Sequence, residues 1–302
     1  MYNINIFTMK KFEITDELKP KIIELYVDKM YGAGKVADIL NIPEKPLRKF
    51  LTNEGIMRAP GTTKLYRCDD GYFNNISTEH QAYWLGVLFA DGNVQKGKDT
   101  HSGRIILSSI DTQWIDLFKK DIKYSGNIYE ETHKVFQKKI SKISLSSEQM
   151  YQDLINLGCV PEKSMIIRIP AIPLNLMPHF IRGYFDGDGT VGVYKNSNKW
   201  NTYTLRSGFC SGSQEFLEAI SLFIPTNNKT VKKTKNRNLY SINLSVNDSI
   251  SLYQYMYTDT TIWLPRKREK FENFLQERCS ETIIGPSRPD EGIVQSSLKE
   301  EE

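Results

Sequence analysis

Tyr83-Trp84-Leu85-Gly86-Val87-Leu88-Phe89-Ala90-Asp91-Gly92 recurs in kind as Phe180-Ile181-Arg182-Gly183-Tyr184-Phe185-Asp186-Gly187-Asp188-Gly189, with Asp188 lying 97 positions after Asp91. An internal repeat is read first, because it fixes how many units the chain contains. Each decamer is followed by two strand-like runs, 92–94 and 104–110 in the first copy, 190–194 and 200–211 in the second. A helical segment comes next in both (111–122 and 213–223). Two more alternating runs follow, 126–131 with 137–145 and 230–235 with 239–246, and then a closing helix, 147–157 or 248–257. Matching turns finish the copies: Cys159-Val160-Pro161-Glu162-Lys163 and Trp263-Leu264-Pro265-Arg266-Lys267. This order predicts an α+β fold of two pseudo-twofold αββαββα repeats.

The decamers also carry chemistry. Gly86 and Ala90 are four apart, as are Gly183 and Gly187, so each pair lies on one face of its helix. Small residues at that spacing let two helix backbones approach closely. The two motif helices are therefore expected to form the seam between the halves, with Asp91 and Asp188 at their C-terminal ends. An acid there faces the negative end of the helix dipole, and capping does not explain it, since Asp favours N-termini. The glycine after each acid suits a left-handed C′ residue. Two carboxylates brought together repel unless a cation intervenes, and their oxygens suit magnesium. A single Asp-Gly would be an ordinary helix end; two in equivalent repeats point to a paired site.

The paired decamers resemble those of LAGLIDADG homing endonucleases in their single-chain, two-repeat form, over roughly residues 78–274. The resemblance implies two saddle-shaped antiparallel sheets straddling duplex DNA, and site-specific hydrolysis of both strands of a long asymmetric site by a monomer. It implies that Asp91 and Asp188 bind the catalytic metal, Mg2+ or Mn2+, with the backbone of Gly92 or Gly189 as a further donor. Lys163 and Lys267 match lysines that line the active site, and Ser109 and Ser211 match polar residues that organise water. Phe89 stands where many members carry an additional acid, and Arg182 and Tyr184 occupy positions that are usually apolar, which predicts a slightly irregular seam. A non-cleaving regulator with this fold, or an RNA-splicing maturase, is the alternative. RNA is an expected partner only under the maturase reading.

The strands carry matching ligand chemistry. Lys138 and Lys142 in the first half, and Lys232, Lys233, Lys235 and Arg237 in the second, are expected on the sheet face or at its edges, toward phosphates. Asn201, Thr204 and Arg206 are candidates for reading base edges. Trp114, Phe118, Phe216, Phe223 and Tyr253 fall at helical core spacing and read as packing. The four histidines show no H-x-x-x-H spacing, which argues against an HNH-type nuclease.

Outside the repeat, residues 1–61 read as a helix-turn-helix module. A stripe of Ile22, Ile23, Leu25, Tyr26 and Met30 precedes a glycine-containing break, and a short helix over 35–40 is followed by the turn Asn41-Ile42-Pro43. A third helix over 44–54 stops at Gly55. Val36, Ala37, Leu40, Ile42, Leu47 and Phe50 would form its core, and Lys45, Arg48, Lys49 and Asn53 its DNA-facing side. Residues 62–77 read as a linker, 78–170 as the first half, 171–279 as the second, and 280–302 as a disordered acidic tail.

Composition sets the outer limits. The 302 residues, 39% hydrophobic and 25% charged, permit a folded core, and no apolar run approaches the ~20 residues that span a bilayer. Four scattered cysteines exclude a zinc ribbon and disfavour a disulfide scaffold. No basic-then-apolar leader opens the chain, so a cytoplasmic protein is expected. The net charge of +4 averages a basic body with a tail in which Glu281, Asp290, Glu291, Glu300, Glu301 and Glu302 outnumber Arg288 and Lys299.

Overall fold

A computed structural model describes residues 12–29, 31–58, 66–96, 103–132, 137–195, 203–227, 229–235 and 238–283. The first motif helix, α4 (Glu79–Ala90), starts at a capping box: the Thr78 hydroxyl accepts from the Gln81 backbone N–H while the Gln81 side chain reaches back to Thr78. Its residues from Ala82 to Phe89 are all buried. The second motif helix, α7 (Met177–Asp188), opens with a proline in its first turn and is buried from Phe180 to Asp186. A helix buried all round belongs in the centre of a molecule, and these two form the axis of this one.

On one side of the axis, β1 (Asn93–Lys96), β2 (Gly103–Ser109), β3 (Tyr129–Thr132) and β4 (Lys139–Ser146) form an antiparallel sheet of order β1-β2-β4-β3. Its helices are α5 (Thr112–Asp121) and α6 (Glu148–Asn156). On the other side, β5 (Thr190–Lys195), β6 (Tyr203–Ser211), β7 (Lys232–Lys233) and β8 (Tyr240–Leu244) repeat the order as β5-β6-β8-β7, with helices α8 (Gln214–Phe223) and α9 (Val246–Tyr257). The expected αββαββα repeat is present twice. Strand alternation buries Ile105, Leu107, Ile143 and Leu145 in the first sheet, and Leu205, Phe209, Ile242 and Leu244 in the second. They join one continuous core with the helix residues Trp114, Phe118, Phe216 and Leu252.

Two stretches differ from the sequence reading. The described part of the expected linker, residues 66–77, is built into the first half: Phe73 and Ile76 are buried in its core, and the Asp69 N–H donates to the Ile122 carbonyl (2.7 Å). A final helix, α10 (Pro265–Ile283), was not expected and runs four residues into the segment read as a tail. It is strongly polar and anchors through Phe271 and Phe274, with the Phe271 ring 5.9 Å from that of Phe185. Residues 284–302 lie outside the described residues.

The N-terminal module has its own core of Ile22, Tyr26, Ala33, Val36, Ala37, Leu47 and Leu51, with Leu40, Ile42 and Phe50 packed against it. Its helices are α1 (Leu18–Ile23), continued by a π-helical turn over Glu24–Asp28, α2 (Ala33–Leu40) and α3 (Glu44–Asn53). Asn41, at φ +49°, makes the sharp turn between α2 and α3, and Gly55, at φ +70°, follows α3. Met30 lies outside the described residues.

Candidate active site

The seam is a contact of backbones. A methyl group at Gly86 would sit 2.0 Å from the Phe180 carbonyl oxygen, and one at Gly183 would sit 1.9 Å from that of Tyr83. Each glycine thus leaves room for the other helix, which is what the four-residue spacing of small residues predicts. One turn further on, a Cβ at Gly187 would be 2.4 Å from the Ala90 methyl and 3.2 Å from an Asp91 carboxylate oxygen. The first acid therefore lies against the C-terminal turn of the opposite helix, and Asp188 ends that same turn.

Both acids have solvent-exposed side chains. Even so, the surrounding protein strips enough water to raise them. Asp91 is pushed up to about 6, by burial first and by the charge of Asp188 second, against the opposing charges of Lys267, Lys163 and Arg266. Asp188 is raised by burial, and Lys267 and Lys163 oppose the shift. Reachable by solvent, yet costly to ionise without a counter-charge, the pair is suited to a cation.

The lysines sit symmetrically but are held differently. Lys163 Nζ donates to the Gly92 carbonyl and is part-buried. Lys267 Nζ donates to three carbonyls at the end of α7, those of Phe185 (2.6 Å), Gly187 (2.9 Å) and Gly189 (2.6 Å), and is buried. Three bonds use every N–H of an ammonium, so Lys267 caps the negative end of α7. Burial lowers it to about 8. The Gly92 and Gly189 carbonyls, expected as metal donors, are not without other partners, since each accepts from a lysine. Nor is Gly189 left-handed, at φ −67°: the glycines are needed because a Cβ would meet the Leu88 or Phe185 carbonyl at 2.6 or 2.5 Å.

Ser109 and Ser211 occupy equivalent turns. The Ser109 hydroxyl accepts from the Asp111 N–H (3.1 Å), and that of Ser211 from the Ser213 N–H (3.1 Å). Ser211 is buried on the core side of its strand, so both hydroxyls serve the starts of α5 and α8.

Among the described residues no group of three or more His, Cys, Asp or Glu side chains forms a metal cage. The donor set at the seam is two carboxylates on an open side. This fits Mg2+, which is commonly held by one or two carboxylates, with water and substrate phosphate completing its shell.

Away from the core each sheet presents an open face. Pairing puts Arg104 beside Ser146, Ser108 beside Lys142 and Lys142 beside Tyr129 in the first sheet. In the second, Tyr194 pairs with Thr204, Gly192 with Arg206, Gly208 with Asn243 and Cys210 with Ser241, which also pairs with Lys232. Lys142, Thr204, Arg206 and Lys232 thus share the open faces. Lys233 projects to the opposite side, its ammonium 6.0 Å from the Tyr240 ring centre, because consecutive strand residues alternate. Lys138 and Lys235 are exposed near strand ends, while Asn201 and Arg237 lie outside the described residues. In the N-terminal module Lys45, Arg48, Lys49 and Asn53 are all exposed on α3, with Arg48 paired to Glu44 (2.7 Å).

Two residues of the site escaped the sequence reading. Cys210 donates through Sγ to the Asp188 carbonyl (3.4 Å). Arg266 donates through Nε to Asp111 of the first half (2.9 Å). The only signal for Arg266 was its place beside Lys267 in the second closing turn.

Residues 176–258 match the family model of the LAGLIDADG-like domain. A curated relative, described as a probable translation initiation factor IF-2 of Methanocaldococcus jannaschii, is 28% identical over 152 residues; the match takes in 47% of this chain and spans 11% of the relative's length. Similar solved structures include the I-LtrWI LAGLIDADG homing endonuclease bound to target DNA, at 15% identity and TM-score 0.46, covering 71% of this chain and 92% of that one. The homing endonuclease I-WcaI bound to its DNA recognition sequence is 14% identical, at TM-score 0.47 over 72% and 96% of the two chains. I-SmaMI bound to an uncleaved DNA target with calcium ions is 10% identical, at 0.47 over 70% and 94%. The second half is thus similar to the LAGLIDADG-like domain, and the first half repeats its element order across the glycine seam.

Proposed function

We propose that this protein is a site-specific DNA endonuclease that hydrolyses both strands of a long, asymmetric duplex with Mg2+ or Mn2+. The observation that carries the reading is the convergence of Asp91 and Asp188 on a backbone-contact seam between two open-faced sheets. Bound there, a divalent metal would activate water and stabilise the leaving oxygen. Asp91 and Asp188 would hold it, and the upward shift of both carboxyls, caused first by burial, supports a counter-ion beside them. Lys267 and Lys163 fix the helix ends that carry the acids, Lys267 through all three of its donors. Lys142, Arg104, Arg206 and Lys232 face outward from the two sheets, toward a duplex backbone and its base edges.

Both acids lie in one chain, which supports action as a monomer. The halves differ along their open faces, which supports an asymmetric site. The exposed basic side of α3, behind the Asn41 turn, supports a helix-turn-helix contact with flanking DNA.

The test is selection of cleaved sites from a randomised duplex library with Mg2+, followed by Asp91→Asn and Asp188→Asn. Each variant should retain binding in Ca2+ and lose double-strand cutting. Unchanged cutting by either would sink the assignment, and an RNA preference in competition binding would favour a maturase.

A further inference from the structure

The closing turns of the two halves end alike, in Pro161-Glu162-Lys163 and Pro265-Arg266-Lys267, but the residue between proline and lysine has opposite charge. Glu162 is exposed, in a left-handed turn at φ +53°. Arg266 reaches across the seam, and its Nε donates to Asp111 of the first half at 2.9 Å, an ion pair with the arginine side chain 47% exposed. Asp111 is itself fixed, because its backbone N–H donates to Ser109 Oγ (3.1 Å). Arg266 is also close enough to Asp91 and Lys267 for its charge to act on both. With Nε turned to Asp111 and the side chain about half exposed, the two terminal amino groups of the guanidinium are the fork left to meet a ligand near the first acid. Such a fork fits phosphate oxygens in a bidentate manner.

We propose that Arg266 holds a backbone phosphate of one DNA strand at the Asp91 side of the site, with Asp111 as its positioning residue, and that the other strand has no counterpart because Glu162 stands in the equivalent place. The two strands are then cut unequally, and the strand served by Arg266 depends on it. The kinetic part rests on the nuclease reading above; the phosphate contact does not.

The experiment uses the full chain and a duplex selected for binding from a randomised library in Ca2+, so the probe exists whether or not the protein cuts. On a supercoiled plasmid carrying that site, with Mg2+, Arg266→Ala should slow one labelled strand by roughly 10- to 100-fold, so that nicked circles accumulate. In Ca2+ the slope of log affinity against log salt should fall by about one. Arg266→Lys keeps the charge without the fork and should slow the same strand less, as should Asp111→Asn, which frees the arginine. Equal slowing of both strands, or no slowing, with an unchanged salt slope overturns the proposal while leaving the nuclease reading intact. If the wild-type protein cuts nothing, the nuclease reading fails and the salt slope alone decides: a loss of about one upholds the phosphate contact, and no change ends it.

Discussion

Around the shared glycines the two motif helices are fastened by different means. The first presents Leu85 and Phe89, and the Phe89 ring packs 5.1 Å from that of Phe180. At the equivalent positions the second presents Arg182 and Asp186, both fully buried. Arg182 donates to Glu79 (2.7 Å) and to the Ile262 and Met256 carbonyls. Asp186 accepts from Tyr83 (2.8 Å), Tyr257 (2.6 Å) and the Leu264 N–H (2.7 Å). Each of these two buried side chains of the second half therefore takes one partner from the first, Glu79 or Tyr83. Backbone contact sets how close the helices lie; these polar bridges select one pairing of unlike halves, because any other would leave each of these buried groups short of one partner.

The sharpest way to break the symmetric part is Gly86→Ala or Gly183→Ala. A methyl at either meets a carbonyl oxygen at about half the usual contact distance, so both should cost about 3 kcal/mol or more in urea unfolding, and nearly equally. The asymmetric part breaks at Asp186→Asn, which turns a donor either toward the Tyr257 hydroxyl or toward the Tyr83 hydroxyl and the Leu264 N–H; a loss of about 2–3 kcal/mol is expected, against ~1 kcal/mol for Phe89→Leu. Equal losses at the two positions would mean that the polar bridges add nothing to the pairing. Next come the lysines: Lys267→Met strands three carbonyls and should cost about 2 kcal/mol, while Lys163→Met, which removes one bond from a part-buried group, should cost under ~1 kcal/mol.

The smallest effect runs the other way. Asp91 has a folded pKa raised to about 6, so the fold binds its proton more tightly than the unfolded chain does. Stability from this group is full below about pH 4 and is lost as pH rises through about 6. Asp91→Asn should therefore stabilise the metal-free protein at pH 7, by roughly 1 kcal/mol once its solvent exposure is discounted, and the gain should vanish near pH 4. Thermal melts at the two pH values check it, and added Mg2+ should stabilise the wild type alone.

What was legible in the sequence follows from how each feature is encoded. The repeat, the small-residue spacing and the paired acids are local patterns, and a three- or four-residue period carries them directly. Arg182 read as an irregularity because its partners, at residues 79, 256 and 262, come from elements far apart in the chain. The Arg266–Asp111 pair, 155 positions apart, was invisible for the same reason. Helix α10 hid behind its polarity, its buried anchors being Phe271 and Phe274. Residues 66–77 looked patternless because Phe73 and Ile76 act singly and make no periodic stripe.

Since the acids are spaced by hydrogen atoms standing where methyl groups would otherwise be, that spacing owes little to the sheets. The outward strand positions can be rewritten one at a time, and neither sheet need consult the other or the paired acids. The same separation favours the engineer: new surfaces can be grafted onto either half, provided the four small residues of the seam are left alone.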